Sequence, residues 1–196
     1  MNDILKIVKS DLVKDTLNIK TPLKAYEARN ARILDIIENG VSNTTLDTIA
    51  ELEIENPKAL PVLIITYDLF QMQNKGISLL KNIETNIDYE KDSLITNLIN
   101  SHSQYKLYFE EDNTAMNKLQ AENIEHFEQY SWFTDWVLLR YNKDMFNYLH
   151  SDEFRRKTGR FSMYSTQFLR DLKEYDSTSK AYIKLIDERL NNQSLD

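Results

Sequence analysis

Glycine and proline are scarce in this sequence, which contains only 3 of each among 196 residues. Ordinary globular chains use about 7% glycine and about 5% proline. Because tight turns depend on these two residues, the many turns of a β-sandwich or β-barrel are difficult to build here. We therefore predict an all-α protein, a single-domain helical bundle of about six to eight helices that spans residues 1–196.

The sequence contains no cysteine, and charged side chains interrupt its first apolar residues. Disulfides, thiolate nucleophiles and cysteine-ligated metal sites are therefore excluded. The charges between Met1 and Ile19 break the apolar run that a signal peptide needs. The longest apolar stretch, Ala59–Ile65, is far shorter than the roughly 20 residues that span a bilayer. We expect a cytoplasmic protein, or a virion component if a phage encodes it, with no membrane contact.

Two helices are predicted at the start of the chain, where apolar residues recur at spacings of three and four. The first runs from about Asp3 to Leu17. In the second, Thr21 is the predicted N-cap and Pro22 the first helical residue. Gly40 stands where a left-handed residue ends a helix.

The most apolar part of the chain runs from Pro57 to about Asn86. Apolar residues on nearly all sides predict the central helix of the bundle, with Gly76 as a bend or break. The β-branched residues of Val62–Thr66 make a strand the rival interpretation. A short helix over residues 44–52 is expected before this segment.

A long aromatic-rich helix is predicted around residues 113–150. No glycine or proline occurs from Asn113 through Leu149, while apolar and aromatic residues recur at helical spacing. Two helices that meet at Ser131 are the alternative. The other elements expected in this half are a short helix at 94–99, an ambiguous segment at 104–109, a solvated turn at 110–112, and helices at 161–175 and 178–190 separated by Asp176 and Ser177.

The three histidines do not form a recognisable metal or catalytic motif. A di-iron helix places Glu and His three residues apart, but the residue three before His126 is Asn123. The same position before His102 is Ile99, and before His150 it is Asn147. The three glycines do not cluster into a phosphate-binding loop. We expect no enzyme activity, no metal and no cofactor, and keep a hydrolase or nuclease with an unrecognised carboxylate site as a weaker alternative.

Both tryptophans, Trp132 and Trp136, lie four residues apart and therefore on one helical face. Anchoring of the core is the favoured interpretation because large rings commonly organise helix bundles. Tryptophan and tyrosine are also enriched in protein interfaces. The tyrosines late in the chain, Tyr141 and Tyr164 among them, support the interface interpretation.

Residues 155–160 hold the one concentrated basic site, with four cations in six residues. We predict an exposed basic loop with a glycine hinge, whose cations are Arg155, Arg156, Lys157 and Arg160. Guanidinium groups bind phosphate or carboxylate. The favoured role is to neutralise acidic surface, in this chain or in a neighbouring copy, because the net charge is −7 and residues 31–150 carry 19 acidic against 9 basic side chains.

These features predict a non-catalytic helical structural or interaction protein that assembles with itself or with a larger partner. Asparagine and isoleucine number 18 each against 8 alanines, a bias typical of AT-rich genomes, and a phage or mobile-element assembly component is the expected setting. The alternative is a nucleic-acid-associated regulator or replication accessory that uses the basic loop.

Overall fold

The prediction of an all-α protein is confirmed. A computed structural model describes residues 1–41, 60–66, 68–84, 92–138, 140 and 142–192, and 86% of these residues are helical. The described residues contain no strand. The helices are α1 (Asn2–Asn18), α2 (Lys20–Asn39), a short 3-10 helix (Leu60–Ile64), α3 (Lys75–Glu84), α4 (Ser93–Glu128), α5 (Phe133–Val137), α6 (Lys143–Leu149) and α7 (Asp152–Asn192).

The first two helices follow one another almost without a connection. The N–H of Ile19 donates to the carbonyl of Asp15, and the carbonyl of Ile19 accepts from the N–H of Leu23, at 2.9 and 3.0 Å. The predicted N-cap at Thr21 is therefore wrong, because helical hydrogen bonding resumes before it. The predicted stop is confirmed: Gly40 has φ +77°, which favours glycine, and its N–H donates to the carbonyl of Ile36.

The predicted central helix over residues 57–86 is wrong in its described part. Only Leu60–Ile64 forms a 3-10 turn, residues 68–74 are irregular, and the α-helix begins at Lys75. The side chain of Asp15 accepts the N–H of Gln73, and that of Asp11 accepts the N–H of Gly76 at 2.7 Å. These buried carboxylates satisfy the backbone of the irregular segment. The short helix predicted at 44–52 lies outside the described residues.

Both long helices continue through the turns predicted within them. Helix α4 has 36 residues and includes Glu110–Asp112, and helix α7 has 41 residues and includes Asp176 and Ser177. The polar residues sit on exposed helix faces, where ion pairs one turn apart support them, as between Lys180 and Asp176 at 2.5 Å.

The long aromatic-rich helix also has different bounds from those predicted. The observed helix α4 ends at Glu128, close to the proposed junction at Ser131, and the two short helices α5 and α6 follow. The side chain of Asn142 caps α6 by accepting the N–H groups of Asp144 and Met145, at 2.9 and 3.3 Å.

The described chain divides into two compact units. Unit 1 comprises Met1–Leu23, Phe70–Glu111 and Arg170–Asp196, and unit 2 comprises Lys24–Leu69 and Asp112–Leu169. Helices α2, α4 and α7 contribute residues to both. The single domain stays a prediction.

The core of unit 1 is aliphatic and joins its three chain segments. Leu5 and Val8 of α1, Leu80 of α3 and Ile186 of α7 are among its members. Helices α1 and α3 approach closely at Gly76, where an added Cβ would stand 2.6 Å from the Cα of Val8. Glycine is therefore required at this crossing.

The core of unit 2 is aromatic. Tyr26 and Phe168 meet edge to face with ring centroids 5.1 Å apart. Two polar contacts are buried within it: Asn123 donates to the carbonyl of Ile64 at 2.7 Å, and Ser165 donates to Oδ1 of Asn30 at 2.6 Å.

Candidate functional site

The basic segment at residues 155–160 is helical, so the prediction of an exposed loop is wrong. Helix α7 begins at Asp152, and the N–H of Phe154 donates to the side chain of Ser151 at 3.2 Å. Asp152 and Glu153 in the first turn complement the helix dipole. Gly159 is an ordinary helical residue without a positive φ, and an added Cβ would meet nothing within 4 Å.

The four cations of this segment have different environments. Arg160 forms an ion pair with Glu122 of α4 at 2.7 Å. Lys157 is half-buried, with Nζ 3.5 Å from Oδ1 of Asn123, and burial lowers its pKa. Arg155 and Arg156 are exposed and form no ion pair within the described part of the chain. Two of the four cations thus neutralise or contact unit 2 itself, and two remain available.

Arg156, Arg160 and Met163 follow one another at spacings of four and three, so they share one face of α7. Met163 is 63% exposed, the largest value among the exposed large hydrophobic side chains that the structure describes. With the adjacent Arg155, these residues form what we call the cationic face: Arg155, Arg156, Arg160 and Met163.

Helix α4 carries exposed carboxylates of the opposite charge in the same unit. Glu125 and Glu128 lie three residues apart near its C-terminal end and are exposed. Neither carboxylate pairs with a cation among the described residues, whereas the neighbouring Glu122 is held by Arg160. We call Glu125 and Glu128 the acidic pair.

Both tryptophans are in the core of unit 2, the location that the sequence favoured. Trp132 is 1% exposed and Trp136 is 9% exposed. Their rings lie 5.7 and 5.9 Å from that of Phe127. In this fold they stabilise the unit and offer little surface to a partner.

A polar cluster that the sequence did not reveal lies at the edge of these rings. Nε2 of His126 is 3.1 Å from the hydroxyl of Tyr148, 3.3 Å from that of Tyr130 and 3.3 Å from Oε1 of Glu153. The hydroxyl of Tyr130 donates to Oε2 of Glu153 at 2.9 Å. Four side chains from α4, α6, α7 and the segment after α4 therefore converge on one point.

Burial keeps this cluster largely uncharged. It lowers the pKa of His126, Lys157 acts in the same direction, and Glu153 opposes them. Burial and Glu153 raise the pKa of Tyr130 to about 12. At neutral pH the imidazole is thus neutral and the hydroxyl protonated. Such groups can exchange protons, but here they satisfy one another at the edge of the aromatic core.

One part of this cluster had a visible signal in the sequence. His126 and Tyr130 are four residues apart, so they face the same side of a helix or its continuation. Tyr148 and Glu153 have no such relation, since their position depends on the turn after α4. Of the two remaining predicted site residues, Tyr164 is half-buried on α7, and Tyr141 lies outside the described residues.

Comparisons with protein-family models, with curated proteins and with solved structures found no match for this chain. The described residues hold no group of three His, Cys, Asp or Glu side chains that could bind a metal ion. None of the described helices is long and apolar enough to cross a membrane.

Proposed function

We propose that this is a non-catalytic interaction protein that assembles with a second copy of itself, the cationic face of one copy meeting the acidic pair of the other. The observation that carries the proposal is the presence of exposed, unpaired charges of both signs in one unit, Arg155 and Arg156 on α7 and Glu125 and Glu128 on α4. Charge complementarity of this kind specifies partner and register.

Symmetry makes such a contact more effective than one surface ion pair. A single exposed pair contributes about 0–1 kcal/mol. In a two-fold dimer each contact occurs twice, so two arginines and two glutamates per copy supply as many as four pairs. The exposed side chain of Met163 adds apolar surface beside the arginines. A stable interface buries about 800 Å² per partner, so further residues must contribute.

Charge reversal tests the proposal. The variants are R155E/R156E and E125K/E128K, studied separately and as an equimolar mixture by sedimentation velocity. We expect the wild type to associate, each variant alone to be monomeric, and the mixture to associate again because opposite charges meet at both contacts. The matched control is K14E/K20E, which changes the net charge equally at exposed cations of unit 1 and should associate like the wild type.

Two results would contradict this proposal. A wild type that stays monomeric at high protein concentration and low salt would remove self-assembly. Association of both reversed variants alone, at the wild-type level, would show that copies meet through another surface.

Nucleic-acid binding through α7 is the second candidate, and the same arginines support it. Arg160 is engaged by Glu122, and Lys157 is directed to Asn123. About two phosphate contacts therefore remain for the segment, which gives a log–log salt slope of roughly −2. The acidic pair on the neighbouring helix of unit 2 opposes a polyanion.

A further inference from the structure

A small internal cavity lies in unit 1, apart from the proposed interaction surface. Its volume is about 10 Å³, and its apolar wall includes Leu12 of α1, Ile77 of α3 and Leu98 of α4. His102 of α4 and Ser179 of α7 also line it. The cavity thus sits between helices from all three chain segments of the unit.

His102 presents an unsatisfied nitrogen. The side chain is 8% exposed, and its Nε2 is 3.2 Å from the carbonyl oxygen of Gln73. Since a carbonyl only accepts, Nε2 carries the hydrogen. Burial lowers the pKa of His102, so the ring is neutral at pH 7 and Nδ1 has a free lone pair. Nδ1 is buried and has no hydrogen-bond partner within the described chain.

Ser179 presents an unsatisfied hydroxyl to the same cavity. The residue is 1% exposed, and its Oγ is buried without a partner among the described residues. Serine within a helix often donates to the carbonyl four residues earlier, as Ser103 does to Ile99 at 2.8 Å. Ser179 does not do so, which leaves its hydrogen for another acceptor.

We propose that this cavity is a binding site for one water molecule, which donates to Nδ1 of His102 and accepts from Oγ of Ser179. The volume matches what one water needs, about 10–15 Å³. The ligand must be able both to donate and to accept, because one orphan atom is an acceptor and the other a donor. Larger ligands do not fit, and a dry cavity would leave both groups unsatisfied, which native proteins rarely tolerate.

The water would link two helices through polar contacts that the protein alone does not make. His102 is already connected to α1, because the Gln73 peptide that accepts from Nε2 also donates its N–H to Asp15. Through the water this chain of hydrogen bonds extends to Ser179 on α7. Buried waters of this kind are integral to a fold and costly to remove.

Nuclear magnetic resonance of the full chain tests the proposal. We expect cross-relaxation between a long-lived water and the protons of His102 and Ser179, and a ¹⁵N shift of Nδ1 typical of a hydrogen-bonded acceptor. In Ser179→Val the added methyl groups fill the cavity. The water signal should then be lost, and the Nδ1 shift should move to the value of an unbonded acceptor.

Ser177→Ala is the matched control, since Ser177 is exposed on the same helix, and it should retain both signals. If Ser179→Val does not fold, Ser179→Ala keeps the test valid, because it removes one partner without adding bulk and should weaken the water signal. A folded wild type without a long-lived water at these protons would overturn the proposal. So would an Nδ1 that carries the hydrogen.

Discussion

The carboxylate of Asp15 on α1 accepts a hydrogen bond of 2.5 Å from the hydroxyl of Tyr175 on α7, 160 residues along the chain. The same carboxylate accepts the N–H of Gln73 through both oxygens, at 3.0 and 3.2 Å. Asp15 has no exposed surface. Burial raises its pKa to about 6, although both hydrogen bonds lower it. Desolvation is therefore the stronger effect at this residue.

The first prediction concerns stability and pH. Asp15 has a raised pKa in the folded state, so its contribution to the free energy of unfolding is present below pH 3.8 and is lost as the pH rises through about 6. The full shift corresponds to about 3 kcal/mol. Asp15→Asn lacks this loss, and its stability relative to the wild type should improve by about 1 kcal/mol between about pH 5 and about pH 7.5.

Urea denaturation of both proteins at each pH measures this difference. The lowered pKa values of His102 and His126 make stability rise with pH, and they cancel when variant and wild type are compared. The exposed Asp3→Asn is the control and should show no such trend. Equal differences at both pH values would mean that Asp15 does not titrate in this range.

The second prediction uses two glycines with opposite surroundings. Gly76→Ala should destabilise the fold by about 1–3 kcal/mol, because its Cβ would stand 2.6 Å from backbone atoms of Val8 and the helices must move apart. Gly159→Ala should stabilise it by about 0.5–1 kcal/mol, because open space surrounds this helical position. Thermal unfolding of both variants checks the signs, and a neutral Gly76→Ala would contradict the close helix crossing.

The third prediction separates the core from the surface of unit 2. Trp132→Ala should cost about 3–5 kcal/mol, since the ring is fully enclosed by other aromatic side chains. Met163→Ala should change stability by less than about 0.5 kcal/mol but weaken self-association. Unfolding and sedimentation measurements on the same samples distinguish these effects. A stability loss for Met163→Ala as large as that for Trp132→Ala would place Met163 in the core.

The fourth prediction concerns nucleic acid. Binding to mixed-sequence DNA or RNA should not be tighter than about 10⁻⁴ to 10⁻⁶ M near physiological salt, the non-specific range. Fluorescence anisotropy at several salt concentrations measures both affinity and slope. Nanomolar affinity that disappears in R155S/R156S would instead favour the regulator or replication accessory.

The residues that determine local structure were readable from the sequence, and those that depend on tertiary contacts were not. Gly40 ends α2 because a positive φ is a local requirement. Thr21 is a good cap by residue type, yet helical bonding resumes before it, at Lys20. The polar residues Glu110–Asp112 form an adequate turn by composition, but the amphipathic pattern on either side keeps them helical.

The candidate site divides in the same way. The charge of Arg155 and Arg156 was evident, as was the burial of Trp132, because both follow from residue type. Helical structure across Gly159 was missed, since one glycine costs a helix only about 1 kcal/mol and the buried residues of α7 outweigh it. The convergence of Tyr148 and Glu153 on His126 depends on the path of the chain after α4, which no periodicity encodes.

The three-segment construction of unit 1 has a consequence for how the chain folds during synthesis. The earliest helix finds its polar partners late: Lys9 pairs with Asp187, 178 residues further on. Until the ribosome has released the C-terminal part of α7, the apolar face of α1 has no complete core to enter. Such high contact order slows folding and leaves that face open to chaperones or to aggregation on the nascent chain.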